Sequence, residues 1–360
     1  MNMKESLIQR ERASLAPYAT FSSQAERIFS EQEWEYSTPF QADRDKILGC
    51  GSFCVLRKKT QVFFDPCKDG YRTRMTHTLQ VAKIARTIAR CLRLNEDLCE
   101  AIALAHDLGH PPLAHQAEAL LNRLNPGGFS HYKQGRRIAE NIEEMNLTLQ
   151  VLDGIENHNI NACPNTPEGH VTLWSDKIAY VCHDLHDALT AKCIKGKDIP
   201  KSFVEIGGLS GEVPKKNELI TQYFGDRERK IIEMFIKGAV VKGKRVIAPE
   251  DFKAFITDIR SNFIPQHLHR TRDVLEPEKN AATALEYIFN HYMKNPDLLP
   301  ELSNIGGTLP DRICDYIVSC SDTKIKKKLR EINPALGGKL FGAAEGAPIQ
   351  APSERRGPVL

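Results

Sequence analysis

Between Ala105 and Glu118 the chain places His106, Asp107, His110, His115 and Glu118 within thirteen positions. Adjacent His106 and Asp107 can approach one ion from neighbouring backbone positions. Imidazole together with carboxylate suits a borderline-to-hard divalent cation. Two ligands leave a coordination sphere incomplete. His77 upstream and Asp176 downstream are the residues that a helix bundle can bring to the same point. A lone His-Asp pair on a helix is an ordinary surface or capping feature. The pair gains weight from its surroundings: His77 one helical hairpin earlier, the Gly109-His110-Pro111-Pro112 turn, and an Asp on a later helix.

Asp176, Tyr180 and Asp184 follow one another at a spacing of four and so share one helix face. Ile178, Val181, Cys182 and Leu185 lie on other faces, which makes this helix amphipathic. Two readings stay open for the polar face: a solvated stripe, or one wall of a site.

Helices must position these groups. In Arg74–Leu92 the residues Leu79, Ile84, Ile88 and Leu92 recur at helical spacing. Asn95 is placed to cap the next helix, with Glu96 and Asp97 in its first turn, where carboxylates suit the dipole. That helix is predicted to reach about Leu108, where Gly109 and Pro111-Pro112 stop it. Further helices are predicted over Leu113–Leu124, Gln134–Met145, Thr172–Lys192, Glu218–Gly238, Pro249–Phe263, Lys279–Lys294 and Arg312–Glu331, with a short helical stretch in Ser22–Glu33. Residues 195–217 read as a loop or insertion, and the Gly-, Ala- and Pro-rich chain from Asn333 reads as a mobile tail. Strand signals are few, so the fold class expected is all-α: a helical bundle with additional peripheral helices. The expected division is 1–40 as a polar extension, 41–194 as the catalytic core, 195–332 as a helical region packing on it, and 333–360 as the tail.

The chain has 360 residues, of which 41% are hydrophobic and 26% charged, ample for a buried core. Its net charge of +3 gives little support to a nucleic-acid coat or an acidic-membrane binder, so any anion site must be local. No apolar run approaches membrane-spanning length, and the first residues do not read as a secretory signal. The 10 cysteines are scattered without a C-x-x-C pair, which fits reduced thiols and a cytoplasmic location. No G-x-x-x-x-G-K-[ST] or G-x-S-x-G is present, against a P-loop NTPase and a serine hydrolase of that type.

Several segments occur in one recognisable order. They are Asp43–Leu48; Lys59-Thr60-Gln61-Val62-Phe63; Arg72–Thr78; His106–Pro112 with His115 and Glu118; Gly127-Gly128-Phe129 with His131; and Asp176–Tyr180 with His183-Asp184. This set resembles the HD-domain deoxynucleoside-triphosphate (dNTP) triphosphohydrolases, the deoxyguanosinetriphosphate triphosphohydrolase-like family. The likeness covers roughly residues 40–190, with an echo at Asp311–Tyr316. Where such relatives carry Ala-Gly-Met-Thr-Asp, this chain has Val318-Ser319-Cys320-Ser321-Asp322.

The resemblance implies an HD-domain bundle and the hydrolysis of a dNTP to deoxynucleoside and inorganic triphosphate. It implies His77, His106, Asp107 and Asp176 as ligands of a divalent ion, Mg²⁺ or Mn²⁺ first among the candidates. It implies His115 as the catalytic histidine, oriented by Glu118, with His110 and His131 facing the phosphates. Arg74 and Lys177 would contact the triphosphate, and Gln61, Tyr180 and Asp184 the deoxyribose. The expected partners are a dNTP and further copies of the chain, with a nucleotide effector or single-stranded DNA as further candidates. The alternatives are another HD-type phosphomonoesterase or phosphodiesterase, and a non-catalytic nucleotide- or single-stranded-DNA-binding module.

Overall fold

A computed structural model describes residues 3–63, 71–113, 116–214, 217–268, 270–300 and 306–342. The architecture is all-α. Among these residues the only paired strands are Val240–Lys242 and Arg245–Ile247, a short antiparallel hairpin with Val241 opposite Val246. No helix is long and apolar enough to cross a membrane, and every described cysteine is a free thiol.

The helix predicted over Arg74–Leu92 has those bounds. Thr73 and Thr76 cap it reciprocally, each side chain accepting from the other's backbone N–H, and Arg93 ends it with a left-handed φ of 55°. Its buried stripe is His77, Val81, Ile84, Ala85 and Ile88. Leu79, read as part of that stripe, is 49% exposed. The Glu96–Ala105 helix starts where Asn95 accepts from the N–H groups of Asp97 and Leu98 at 3.1 and 3.2 Å. It is buried almost all round, packed between the Pro39–Gly49, Arg74–Leu92 and Pro167–Thr190 helices. It ends at Ala105, three residues before the predicted Leu108, so His106 and Asp107 head a turn rather than sit within a helix.

Two apolar cores result. The larger gathers the helices around Glu96–Ala105 together with Phe203, Phe235, Phe252 and Ile256. The smaller joins Leu113, Ala117, Leu120 and Leu121 to the Arg272–Lys294, Leu309–Val318 and Asp322–Ile332 helices. At about 25 cal/mol per Å² of apolar surface removed from water, such burial is the main stabilising term.

Several predicted elements differ. Within Ser22–Glu33 only Ser22–Gln24 is helical, a single 3₁₀ turn. The rest is held by side-chain bonds, as Arg27 donates to Asp43 Oδ1 and to the Asn146 carbonyl, both at 2.6 Å. Asp43 also accepts from Thr148 N and Oγ1, so this buried carboxylate is a brace. The Gln134–Met145 prediction becomes an α-helix over His131–Arg137 that passes into a π-helical turn, Ile138–Ile142. The long helix begins five residues earlier than predicted, at Pro167, because Thr166 caps it. The Arg312–Glu331 prediction splits at Ser319–Ser321, where Ser321 caps the second piece. Helices at Pro39–Gly49 and Leu149–Glu156 were not predicted. Part of the expected tail is helical, over Pro334–Phe341, capped by Asn333. Residues 343–360 lie outside the described residues.

Candidate active site

Three helices and one turn converge on His77, His106, Asp107 and Asp176. His77 is in the first turn of its helix, Asp176 projects from Pro167–Thr190, and His106 and Asp107 follow the end of Glu96–Ala105. Each carboxylate is divided between two duties. Asp107 Oδ2 accepts from Arg74 Nη1 at 2.8 Å, while Oδ1 lies 3.7 Å from His106 Nε2. Asp176 Oδ2 accepts from Lys177 Nζ at 2.6 Å, while Oδ1 lies 3.0 Å from His77 Nε2 and 3.7 Å from His106 Nε2. One oxygen of each acid thus meets a cation, and the other turns to the imidazoles.

The His106 ring is oriented from behind, its Nδ1 donating to the Ala103 carbonyl at 2.6 Å. That leaves the Nε2 lone pair facing the cluster, buried and without a hydrogen-bond partner. A buried acceptor of this kind is unfavourable unless something binds it. Ligand atoms of His77, His106 and Asp107 lie within 4.8 Å of one another. Two imidazole nitrogens and two carboxylate oxygens fit a divalent metal ion, with Ala103, Arg74 and Lys177 as the outer partners such sites use to hold ligands. Electrostatics agree. Burial raises the Asp107 carboxyl, but Arg74 and His106 outweigh it and hold the group well below the usual range. Burial likewise opposes ionisation of Asp176, and Lys177 and His77 reverse it. Burial lowers His106 despite both acids, keeping it neutral, as a ligand must be.

Beside this cluster lies a second. Glu118 accepts from both the backbone N–H and Nδ1 of His131, each at 2.9 Å. On its other side His131 Nε2 meets His158 Nε2 at 2.9 Å. His158 Nδ1 donates to the Ile155 carbonyl at 2.6 Å, so its Nε2 is an acceptor. Hydrogen-bond bookkeeping therefore makes His131 Nε2 the donor to His158, with its other ring nitrogen turned to the Glu118 carboxylate. Burial, with His131 and His106 adjacent, drives His158 well below its ordinary value.

Both clusters open into one cavity of about 440 Å³, lined by Gln61, Arg74, His77, Asp107, His110, Glu118, His131, His158, Asp176, Lys177, Tyr180 and the Arg260-Ser261-Pro265 edge. The fold thus brings together ten of the thirteen expected site residues at its walls, with His106 directly behind them. The remaining two are Asp184 and His115. Asp184 is 1% exposed, with Oδ2 unpaired, and burial and Asp187 push its carboxyl well above the usual range. His115 lies outside the described residues, and the described partner of Glu118 is His131.

Arg74 offers more than its bond to Asp107, because its buried Nε and Nη2 have no partner. Gln61 Oε1 is likewise buried and unpaired. The close approach of the two clusters depends on Gly109. A Cβ there would overlap the His131 carbonyl oxygen and the Gly135 nitrogen.

Sequence reasoning missed His158 and Arg260. His158 follows an apolar helix, Leu149–Glu156, and a histidine just beyond such a helix was the available signal. Arg260 sits in a π-helical turn, Asp258–Phe263, a feature often found at functional sites. The periodicity of Pro249–Phe263 does not reveal such a turn.

Residues 74–190 match the HD domain family. The chain is 38% identical over 344 residues to a deoxyguanosinetriphosphate triphosphohydrolase-like protein of Caldanaerobacter subterraneus subsp. tengcongensis, covering 92% of this chain and 96% of that one. It is 39% identical over 346 residues to one of Clostridium perfringens, covering 92% and 98%. A third, from Deinococcus radiodurans, is 34% identical over 367 residues, covering 89% and 97%. A solved structure of a hypothetical protein from Aquifex aeolicus superposes with a TM-score of 0.50 at 16% identity, over 83% of this chain and 71% of that one, a likeness of fold alone.

Proposed function

Because the chain belongs to the deoxyguanosinetriphosphate triphosphohydrolase-like family of HD-domain proteins, we propose that it hydrolyses dNTPs to a deoxynucleoside and inorganic triphosphate. The observation that carries this reading is the pairing, in one cavity, of an acceptor set suited to a divalent ion with two buried Arg74 donors, Nε and Nη2, that have no hydrogen-bond partner. A polyphosphate supplies oxygens to both.

His77, His106, Asp107 and Asp176 would hold the divalent ion, which would supply Lewis-acid polarisation of a phosphate oxygen and a more acidic water. Arg74 Nε and Nη2 and the Lys177 ammonium bind phosphate oxygens and offset charge that grows there. Arg260 adds a third cation. Among the described residues it has no carboxylate partner, and it lines the cavity beside Tyr180. Water forms a bond to the α-phosphorus, the bond from that phosphorus to O5′ breaks, and O5′ leaves with a proton. Glu118, His131 and His158 form a hydrogen-bonded chain able to hold and supply a proton at the cavity wall. His115 keeps its proton-transfer role on family resemblance. Gln61 Oε1 offers a buried acceptor for a sugar hydroxyl, and Tyr180 limits the room beside it. Asp184 contacts the 3′-hydroxyl in this reading only if the sugar reaches past Tyr180.

The test is incubation with each of the four dNTPs and Mg²⁺ or Mn²⁺, with products separated by anion exchange. Inorganic triphosphate from at least one dNTP, lost on chelation, is expected. Release of orthophosphate or pyrophosphate instead would assign the site to another HD-type phosphatase.

A further inference from the structure

Neither Lys59 nor Asp322 has a role in that reaction, and neither lines the cavity. Lys59 is 1% exposed, and its ammonium donates to the carbonyls of His110 and Val318, both at 2.7 Å. Asp322, also 1% exposed, heads the Asp322–Ile332 helix. Its Oδ2 accepts from Thr60 N at 3.0 Å and from Thr60 Oγ1 at 2.5 Å. Its Oδ1 accepts from Leu113 N at 2.9 Å.

These bonds grip both ends of one short segment. Lys59 holds the carbonyl of His110 and Asp322 holds the amide of Leu113. Between them lie Pro111 and Pro112, which have no N–H to give. The grip has a physical reason. Leu113 has φ 68°, a left-handed conformation that disfavours a residue with a Cβ by about 1–2 kcal/mol. Such a backbone persists only when its surroundings over-determine it. The Asp322 carboxylate does so from the N-terminal end of a helix, where negative charge is favoured. Lys59 and Thr60 are sequence neighbours, so the two grips are one device, with the 318–322 junction as its far jaw.

We propose that Asp322 and Lys59 are positioning residues, through which the C-terminal helical region fixes His110 against the phosphates. This rests on the triphosphohydrolase reading above. A misplacement of about 1 Å at a reacting group can cost roughly 10²-fold in rate. A clamp on the His110 backbone therefore acts on kcat, while the four metal-ligand candidates and the Arg74 donors stay where they are.

The test compares wild type, Asp322→Asn and Thr60→Val. The Asn amide is isosteric but turns an N–H₂ toward a backbone donor. The Val removes one hydroxyl bond while keeping a side chain of the same shape and the Thr60 N–H bond to Asp322, so it is the milder change and remains informative if the first variant is unstable. Metal content, thermal midpoint, kcat and KM are measured, with kcat expressed per metal-loaded protein. Expected are unchanged metal content, KM within about twofold, and kcat lower by about ten- to a hundredfold in Asp322→Asn and several-fold in Thr60→Val. Wild-type kcat per metal-loaded protein in both variants, whatever happens to the midpoint, reduces the clamp to a structural brace and overturns the proposal. Loss of metal together with kcat overturns it as well, because the effect then runs through the ion. If wild type releases no triphosphate from any dNTP, the functional reading falls first and the role assigned to the clamp falls with it.

Discussion

His131 and His158 meet ring nitrogen to ring nitrogen at 2.9 Å, and each is anchored on its far side, one by Glu118 and the other by the Ile155 carbonyl. Two neutral rings could not both present lone pairs at that distance. The shared proton makes His158 a buried partner of a residue on the cavity wall. His158→Ala is expected to keep its metal and its KM but lose about 10²-fold in kcat, the scale of a disturbed acid–base group. Kinetics with parallel metal analysis check this. An unchanged kcat would make His158 a packing residue.

Arg260 is expected to act on the triphosphate. Charge-assisted hydrogen bonds contribute about 1.5–3 kcal/mol, so Arg260→Ala should raise KM for the dNTP at least tenfold and weaken inhibition by added inorganic triphosphate in parallel. If base selectivity shifts while inhibition by triphosphate does not, Arg260 reads the base.

Gly109 tests the junction between the two clusters. A methyl group at Gly109 meets backbone, not a flexible side chain, in the His131–Gly135 turn. Gly109→Ala should lower stability by about 1–3 kcal/mol and activity with it, read by urea unfolding and by turnover. Wild-type stability would mean that the helix bearing His131 is free to move away.

Stability should also carry a pH signature. Burial pushes Glu278 up to about 7, although a hydrogen bond from Gln116 pulls the other way. Below the ordinary value of 4.5 both folded and unfolded chains hold this proton, and the group is neutral to stability. Between 4.5 and about 7 the unfolded chain loses the proton while the folded one keeps it, so the group makes stability fall as pH rises, and above 7 the penalty is constant. Glu278→Gln should therefore gain stability relative to wild type across that window, by up to roughly 3 kcal/mol. Denaturant unfolding at a series of pH values measures the difference. A difference that does not vary with pH contradicts it.

Much of this was legible in residue order. Helical periodicity and caps located the Arg74–Leu92, Glu96–Ala105 and Pro167–Thr190 helices to within a few residues, and with them His77, His106, Asp107 and Asp176. Other features depend on tertiary contact. The π-helical turn that presents Arg260 looks like ordinary helix in periodicity. His158 acquires its meaning from His131, 27 residues away. The Lys59–Val318 bond and the Asp322 bonds join positions more than 200 residues apart. The buried state of Asp184 was equally hidden, since spacing puts it on the face of Asp176 and Tyr180 but does not say how deep that face lies.

In the proposed reaction, water attacks the α-phosphorus of a dNTP in this cavity and expels the sugar oxygen. Hydrolysis of dGTP in ¹⁸O-labelled water, with the products resolved by mass spectrometry, shows which bond is cleaved. One labelled oxygen in inorganic triphosphate and none in deoxyguanosine is the expected result. Label in orthophosphate or pyrophosphate, or in the 5′-hydroxyl of the nucleoside, would contradict it.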